Sequence, residues 1–202
     1  MMEMVKKVLP RALVFILILT ILCGVIYPLV VTGISQLFFP HQANGSIIEI
    51  DGKKYGSTLL AQQFSGDTYL WGRVMNLNTE TFYDEQGNPL LYAGPSNLSP
   101  ASEDYKALIT ERIETIKAAH PDKTNDPIPN DLVTSSGSGL DPHISLAAAN
   151  YQVQRIAQNR QIPVKTVQDI IDRYTTGRFL GIFGEPTVNV LQVNLALDGI
   201  LS

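Results

Sequence analysis

The chain has 202 residues, 45% of them hydrophobic, with a single cysteine and a formal net charge of −4. That length accommodates one membrane span and one domain of ordinary size. Lys6, Lys7 and Arg11 stand against Glu3 in residues 1–11, a balance of +2, so residues 12–202 carry −6. A region of that sign lacks the basic patch that phosphate binding needs, which argues against nucleic acid as a partner. The one cysteine, Cys23, falls in an apolar block, so the rest of the chain can hold neither an internal disulfide nor a thiolate zinc site.

From Ala12 to Phe39 there is no charged residue. As a helix this run would be roughly 42 Å long, and the hydrocarbon core of a bilayer needs only about 30 Å. A cleaved signal peptide fits poorly, because the apolar run continues through Ile34 and Phe38-Phe39 with no A-x-A site. Leu22 likewise stands where a lipoprotein cut before Cys23 wants a small residue. An uncleaved signal anchor is expected. The basic residues precede the span and the next one is Lys53. The positive-inside rule then places residues 1–11 in the cytoplasm, 12–39 across the membrane and 40–202 outside. Phe38 and Phe39 would sit at the outer headgroups, with Pro40 ending the helix. Within the span, Thr20, Gly24, Pro28, Thr32 and Gln36 recur at intervals of four. Such small and polar residues suit a face that packs on another transmembrane subunit. On a straight helix the stripe drifts by about 40° per step. Pro28 removes a hydrogen bond to the Gly24 carbonyl and predicts a bend there.

Beyond the span, Ile47 to Ile50 followed by Asp51-Gly52 predicts a strand and a turn. Leu59 to Phe64 fits a strand or a short helix equally, and Tyr69-Leu70-Trp71 reads as an extended piece. Residues 76–98, with Gly87, Pro89, Gly94 and Pro95, read as turns and loop. Ser99-Pro100 predicts a helix start, with Tyr105, Leu108, Ile109, Ile113 and Ile116 on one face and a stop before Pro121. A second helix is predicted from Ser145 to Asn159, and a third from Pro163 to the threonines before Gly177. Val188 to Leu197 reads as a buried strand leading into a short helix. The fold class is therefore α+β: one N-terminal transmembrane helix, then a single mixed α/β extracytoplasmic domain. Between the first two helices, residues 120–144 form a connection long enough to invite a functional reading.

That connection contains Thr134, Ser135, Ser136, Gly137, Ser138, Gly139, Asp141, Pro142 and His143. Serines, an aspartate and a histidine raise the alternative of a membrane-anchored extracytoplasmic serine hydrolase using Ser136 or Ser138 with His143. The nucleophile-elbow pattern, however, wants glycine where Ser136 stands. Neither phosphate-loop pattern fits, although a small Ser/Gly turn can present N–H groups to an anion. The better reading is structural: glycines allow unusual backbone angles, and Asp141-Pro142 can cap the following helix. His41, His120 and His143 lack ligand spacing, so no metal site is expected. Asp122-Lys123-Thr124-Asn125 resembles the start of a P-type ATPase phosphorylation motif, but the chain has no room for the domains that motif serves. A third reading, an anchored solute-binding or sensor domain, predicts a specific ligand and stability without partners.

Several separated blocks carry a more specific resemblance. Tyr27-Pro28-Leu29, Thr32-Gly33, Phe39-Pro40, Ala43-Asn44-Gly45-Ser46, Gly72-Arg73 and Ser96-Asn97-Leu98 come first. The run from Asp131 to Ser145 follows, then Arg178, Gly184-Glu185-Pro186, Val188 to Leu191 and Asn194 to Asp198. Together, in this order, they resemble the C subunit of the bacterial high-affinity potassium-transporting P-type ATPase, the Kdp complex. The resemblance implies a non-catalytic accessory subunit of the inner membrane. Its partners would be a channel-like potassium-translocating subunit, a P-type ATPase subunit and often a small single-helix subunit. It also implies a role in assembly and as a catalytic chaperone raising the ATP affinity of the ATPase subunit. No cofactor would be tightly bound to this chain; ATP would enter through the ATPase subunit, and potassium is the ion the complex transports.

Overall fold

A computed structural model describes residues 2–123 and 125–201, with side chains from Lys6 onward. Thr124 of the phosphorylation-like tetrapeptide lies outside the described residues. The chain divides into two units, Met1–Ile47 and Ile48–Ser202.

The first unit is helical: α1 (Met2–Ile21), a wide π turn (Leu22–Ile26), α2 (Tyr27–Phe38) and the single-turn α3 (Pro40–Ala43). Residues Lys6–Phe38 form one helical run long and apolar enough to cross a membrane. Pro28 has no N–H, and its ring would strike the Gly24 carbonyl in a regular α-helix. The chain accommodates it by widening the preceding turn, where the Tyr27 N–H donates to the carbonyl of Leu22, five residues back. At the other end, the break comes at Phe39 (φ −135°, ψ 50°). Pro40 therefore opens α3 rather than ending α2, at a position where its missing N–H costs nothing. Asn44 ties the two helices, donating from Nδ2 to Pro40 O (2.7 Å) and to Gln36 Oε1 (3.1 Å).

In the second unit, β1 (Ile47–Ile50) pairs with β2 (Lys53–Ser57) as the turn at Asp51-Gly52 predicts. The core lies further along, around α5 (Leu146–Arg160), α6 (Val164–Arg173) and α7 (Val190–Leu197). Ser145 caps α5, its Oγ accepting the Ala148 N–H at 3.1 Å. Ala149, Val153, Ile156 and Ala157 of α5 meet Val167 and Ile171 of α6 in the core, as their helical spacing predicts, and Ala148 joins them. Three short antiparallel strands, β5 (His143–Ser145), β6 (Thr175–Thr176) and β7 (Thr187–Asn189), run in the order β5-β7-β6. Val188, fully buried, faces Ile144 on one side and Thr175 on the other. Asn189 then caps α7 by accepting the Gln192 N–H. The predicted first helix is α4 (Glu103–Ala119). Its cap is Ser102 rather than Ser99: Ser102 Oγ accepts the Tyr105 N–H, and Ser99 O closes the turn before it.

Residues 66–71 are not a strand, although Tyr69-Leu70-Trp71 reads as extended. Side chains from two helices replace the missing ladder. The Asn194 amide accepts the Leu70 N–H (2.7 Å) and donates to the Leu70 carbonyl (2.9 Å). The Gln152 amide does the same for Trp71, at 2.8 and 3.0 Å. Arg155 donates to the carbonyls of Asp67 and Tyr69, and Arg160 to that of Thr68. The Gly66 carbonyl accepts from the Trp71 indole at 2.9 Å. Every carbonyl of this strap thus accepts a side-chain hydrogen bond, in place of the ladder that strand neighbours would supply. Residues 59–64, which fit a strand or a helix, are neither.

Residues 76–98 overturn the loop expectation. β3 (Leu77–Tyr83) and β4 (Pro89–Ala93) form an antiparallel hairpin. Asp84 builds its turn, accepting the N–H groups of Gln86 and Asn88 and the Asn88 side chain, with Gly87 at φ 80°. Those bonds hold the exposed Asp84 carboxyl below its usual range, the Asn88 side chain contributing most. A bulge after Asn78 shifts the register, and Asn78 Oδ1 there accepts from Glu80 N, Thr81 N and Thr81 Oγ1. All of β3 and most of β4 are exposed, so no alternation of apolar residues marked the hairpin.

Candidate functional site

The segment 131–145 is anchored at both ends and in the middle. Asp131 Oδ2 accepts the Ser145 N–H at 2.5 Å, joining its start to the cap of α5. Val74 forms a parallel bridge with Ser135. Beside it, the Arg73 guanidinium reaches Thr134 Oγ1 (3.4 Å), Ser135 O (3.3 Å) and Asp141 Oδ2 (3.6 Å). Gly139, at φ +73°, packs where a Cβ would lie 2.6 Å from Gly94 O and 2.8 Å from Asn76 O. No side chain fits there. Asn76 completes the clasp, donating from its backbone to Gly139 O and from Nδ2 to Gly94 O. The segment therefore locks the foot of the β3–β4 hairpin to the core.

The individual residues serve that clasp. Ser136 Oγ accepts the Asp141 N–H, Ser138 Oγ accepts the Leu140 N–H, and Ser136 O accepts the Gly139 N–H. The N–H groups of Gly139, Leu140 and Asp141 are thus bonded within the turn. Thr134 Oγ1 donates to Asn130 O. Asp141 does not cap α5, contrary to expectation: its Oδ1 accepts the His143 N–H two residues on, and Ser145 is the cap. Pro142 O accepts the Val190 N–H. Gly137 lies in open space. His143 presents Nδ1 to Asp141 (3.7 Å) and accepts from Asn189 at Nε2 (3.3 Å). Both ring nitrogens therefore face groups other than Ser136 and Ser138, whose hydroxyls lie 3.3 Å from each other. That is not the nucleophile–base pair a hydrolase needs.

Arg73, Asn76 and Asn189 complete the site but were not singled out as site residues in the sequence. The signals were Gly72-Arg73 and, for Asn189, the run Val188 to Leu191 among the blocks of resemblance. Arg73 also borders a cavity of about 340 Å³ with Phe64, Trp71, Arg112, Ile116 and Leu132. Its Nε is buried without a partner. Arg112 donates to Val133 O at 3.0 Å, and burial lowers its pKa.

Behind the strap, Arg155 is 4% exposed and lies 4.3 Å from the centre of the Trp71 ring. Burial lowers its pKa to about 10, which still leaves it charged at neutral pH. Its Nε donates to His120 Nε2 at 3.1 Å, and His120 Nδ1 lies 2.8 Å from Ile116 O. The pair fixes the tautomer with hydrogen on Nδ1. Burial is the main cause that holds the His120 pKa below its usual value, with Arg155 and Lys123 adding to it. Among the described residues, no group of three or more His, Cys, Asp or Glu side chains could hold a metal ion.

Thr20, Gly24, Pro28, Thr32 and Gln36 are all exposed along the first unit, and Gly24 has nothing within 4 Å of an added Cβ. Their drift over four steps would be about 160° on a straight helix, but the extra residue in the wide turn turns the stripe back by about 100°. The five residues thus gather on a narrower face than the sequence implied.

The structure defines a class of protein with one apolar helix long enough to be a candidate membrane span, followed by an α+β domain whose segment 131–145 clasps its own hairpin. A family model described as KdpC, K+-transporting ATPase, c chain, matches residues 9–199. The chain is 61% identical over 200 residues to a potassium-transporting ATPase KdpC subunit of Clostridium botulinum (strain Eklund 17B / Type B), covering 99% of this chain and all of the relative. A relative of the same name in Clostridium perfringens is 63% identical over 195 residues, 96% of this chain and 98% of its own. In Paraburkholderia phytofirmans the figures are 47% over 193 residues, 96% and 97%. The chain belongs to the KdpC family.

Proposed function

We propose that this chain is the accessory subunit of an ATP-driven, high-affinity potassium uptake complex. The observation that carries the reading is the family match over nearly the whole chain, in a molecule whose N-terminal helix can span a bilayer. Lys6, Lys7 and Arg11 before the span support a cytoplasmic N-terminus, with residues 40–202 outside the inner membrane. In this reading the partners are a channel-like potassium-translocating subunit, a P-type ATPase subunit and, as often in the family, a small single-helix subunit. The stripe from Thr20 to Gln36 is the face that packs against a neighbouring span. The outer domain sits at the extracellular mouth of the translocating subunit, where its acidic surface modestly raises local cation concentration.

Assembly and the raising of ATP affinity belong to the same proposal. ATP is not present outside the cell, so the effect on the ATPase subunit is indirect and travels through packed helices. Tagged protein purified from gently solubilised membranes of potassium-starved cells tests the core of this. Recovery of a P-type ATPase and a channel-like subunit, with potassium-stimulated ATP hydrolysis, is the expected result. Recovery of this chain alone, folded and stable, would overturn it. ATP binding by residues 40–202 at physiological concentration would overturn the indirect route and the topology with it.

A further inference from the structure

Two guanidinium groups line the cavity of about 340 Å³ beside the segment 131–145. Arg112, from α4, donates to Val133 O, and Arg73, just past the strap, donates to Ser135 O. Both side chains are therefore anchored on one short stretch, 133–135. Their charges are unequally matched. Arg73 stands 3.6 Å from Asp141 Oδ2, whereas Arg112 forms no ion pair among the described residues. None of the described residues lining the cavity is Asp or Glu. One positive charge is thus left over, in a region (residues 12–202) that carries −6. Arg73 is also short of acceptors. Its closest hydrogen bond is 3.3 Å long and its buried Nε has none, whereas Arg155 donates at 2.6 Å. A guanidinium held only at that length keeps unused donor capacity. Phe64, Trp71, Ile116 and Leu132 supply apolar lining continuous with the core. The Trp71 indole N–H is already bonded to Gly66 O, so the ring brings apolar surface rather than a donor.

We infer that this cavity binds a small monocarboxylate with an apolar body, its carboxylate on the guanidiniums of Arg73 and Arg112 and its body against Trp71 and Phe64. The planar fork of an arginine matches the two oxygens of a carboxylate, and the paired bonds are strong because both groups are charged. A single unmatched positive charge suits a single negative one. A nucleoside triphosphate would bring several charges that nothing in the lining offsets. The volume is near the lower end of the ~300–1,000 Å³ of ligand pockets, which also limits the occupant to a small molecule. The bound acid would tie α4 to the segment 131–145 through its two arginines, so it should stabilise the clasp as well as fill the cavity. The site goes beyond the accessory-subunit reading and does not depend on it.

The test is isothermal titration calorimetry of the full chain in detergent with benzoate, beside benzamide as its uncharged isostere, inorganic phosphate and ATP. The expected result is one benzoate per chain, with a melting temperature that rises as benzoate is added. Benzamide should bind about tenfold more weakly or worse, and R112Q should weaken benzoate by as much, the ratio that ~1.4 kcal/mol of lost charge-assisted bonding produces. Should R112Q melt too early to titrate, T115F carries the test. Thr115 is exposed and lines the cavity, so phenylalanine there fills the space while both arginines stay. Benzoate binding should be lost in that variant at an unchanged melting temperature without ligand. No saturable binding up to about 10 mM benzoate would overturn the proposal. So would equal affinity for benzamide, or benzoate binding that T115F leaves intact. Phosphate or ATP taking the site more tightly than benzoate would overturn the assignment to a carboxylate.

Discussion

Replacing Asn194 with leucine tests the strap, because it preserves side-chain size while removing both hydrogen bonds to Leu70. Asn194 is 1% exposed and Leu70 fully buried, so water cannot replace the lost partner. The substitution orphans one N–H and one carbonyl, each costing about 1–3 kcal/mol. The expected loss is about 4 kcal/mol, a large part of the ~5–15 kcal/mol that holds a typical domain together. With a urea slope of about 2 kcal/mol/M, the unfolding midpoint should fall by about 2 M at unchanged slope. The assay is equilibrium unfolding of the full chain in detergent, followed by the fluorescence of Trp71. That is the sole tryptophan, and its own N–H and carbonyl are held by Gln152. A midpoint shift below about 0.5 M would mean that the strap's carbonyls find water or relax, and the reasoning would fail.

Four further outcomes follow from the same geometry. G139A should cost more than about 2 kcal/mol, because it combines a left-handed φ with a backbone clash, whereas G137A should stay within about 0.5 kcal/mol. Faster hydrogen exchange across residues 77–93 in the first variant alone checks the clasp. His120 has a pKa lowered in the folded chain, so the unfolded chain takes up its proton first as pH falls. Stability is therefore unaffected above the ordinary histidine range and falls with acidification below about pH 6.5, by at most about 1.4 kcal/mol per pH unit; H120Q should flatten this dependence in denaturation midpoints taken across pH 5–8. Arg155→Met should destabilise by about 3 kcal/mol or more, since it leaves the Asp67 and Tyr69 carbonyls and His120 Nε2 short of a donor, as thermal unfolding would read. Gly24→Ile should weaken copurification of the neighbouring spans without changing the melting of the outer domain, and unchanged recovery would count against a packing face there.

What could be read from the chain alone was whatever local spacing encodes. The uncharged run from Ala12 to Phe39 announced a helix of spanning length, because hydropathy and length are properties of a contiguous segment. The 3.6-residue spacing of apolar positions located α5 and α6, and Asp51-Gly52 located the first hairpin, because their bonds close within a few residues. The family blocks marked the segment 131–145, although its chemistry invited a hydrolase that the geometry around His143 does not form. Other features depended on partners far away in sequence. The strap is held by Gln152 and Asn194, 81 and 124 residues from the groups they bond, and no local pattern specifies such pairs. The hairpin at 77–93 buries neither face, so it left no apolar alternation to read, and its place is set by Gly139 against Gly94 and Asn76. The wide turn before Pro28 depended on how the helix relieves a clash, which the proline announces but does not choose. Contiguous patterns determined which elements form, and only packing across the folded chain decided which side chains complete one another's hydrogen bonds.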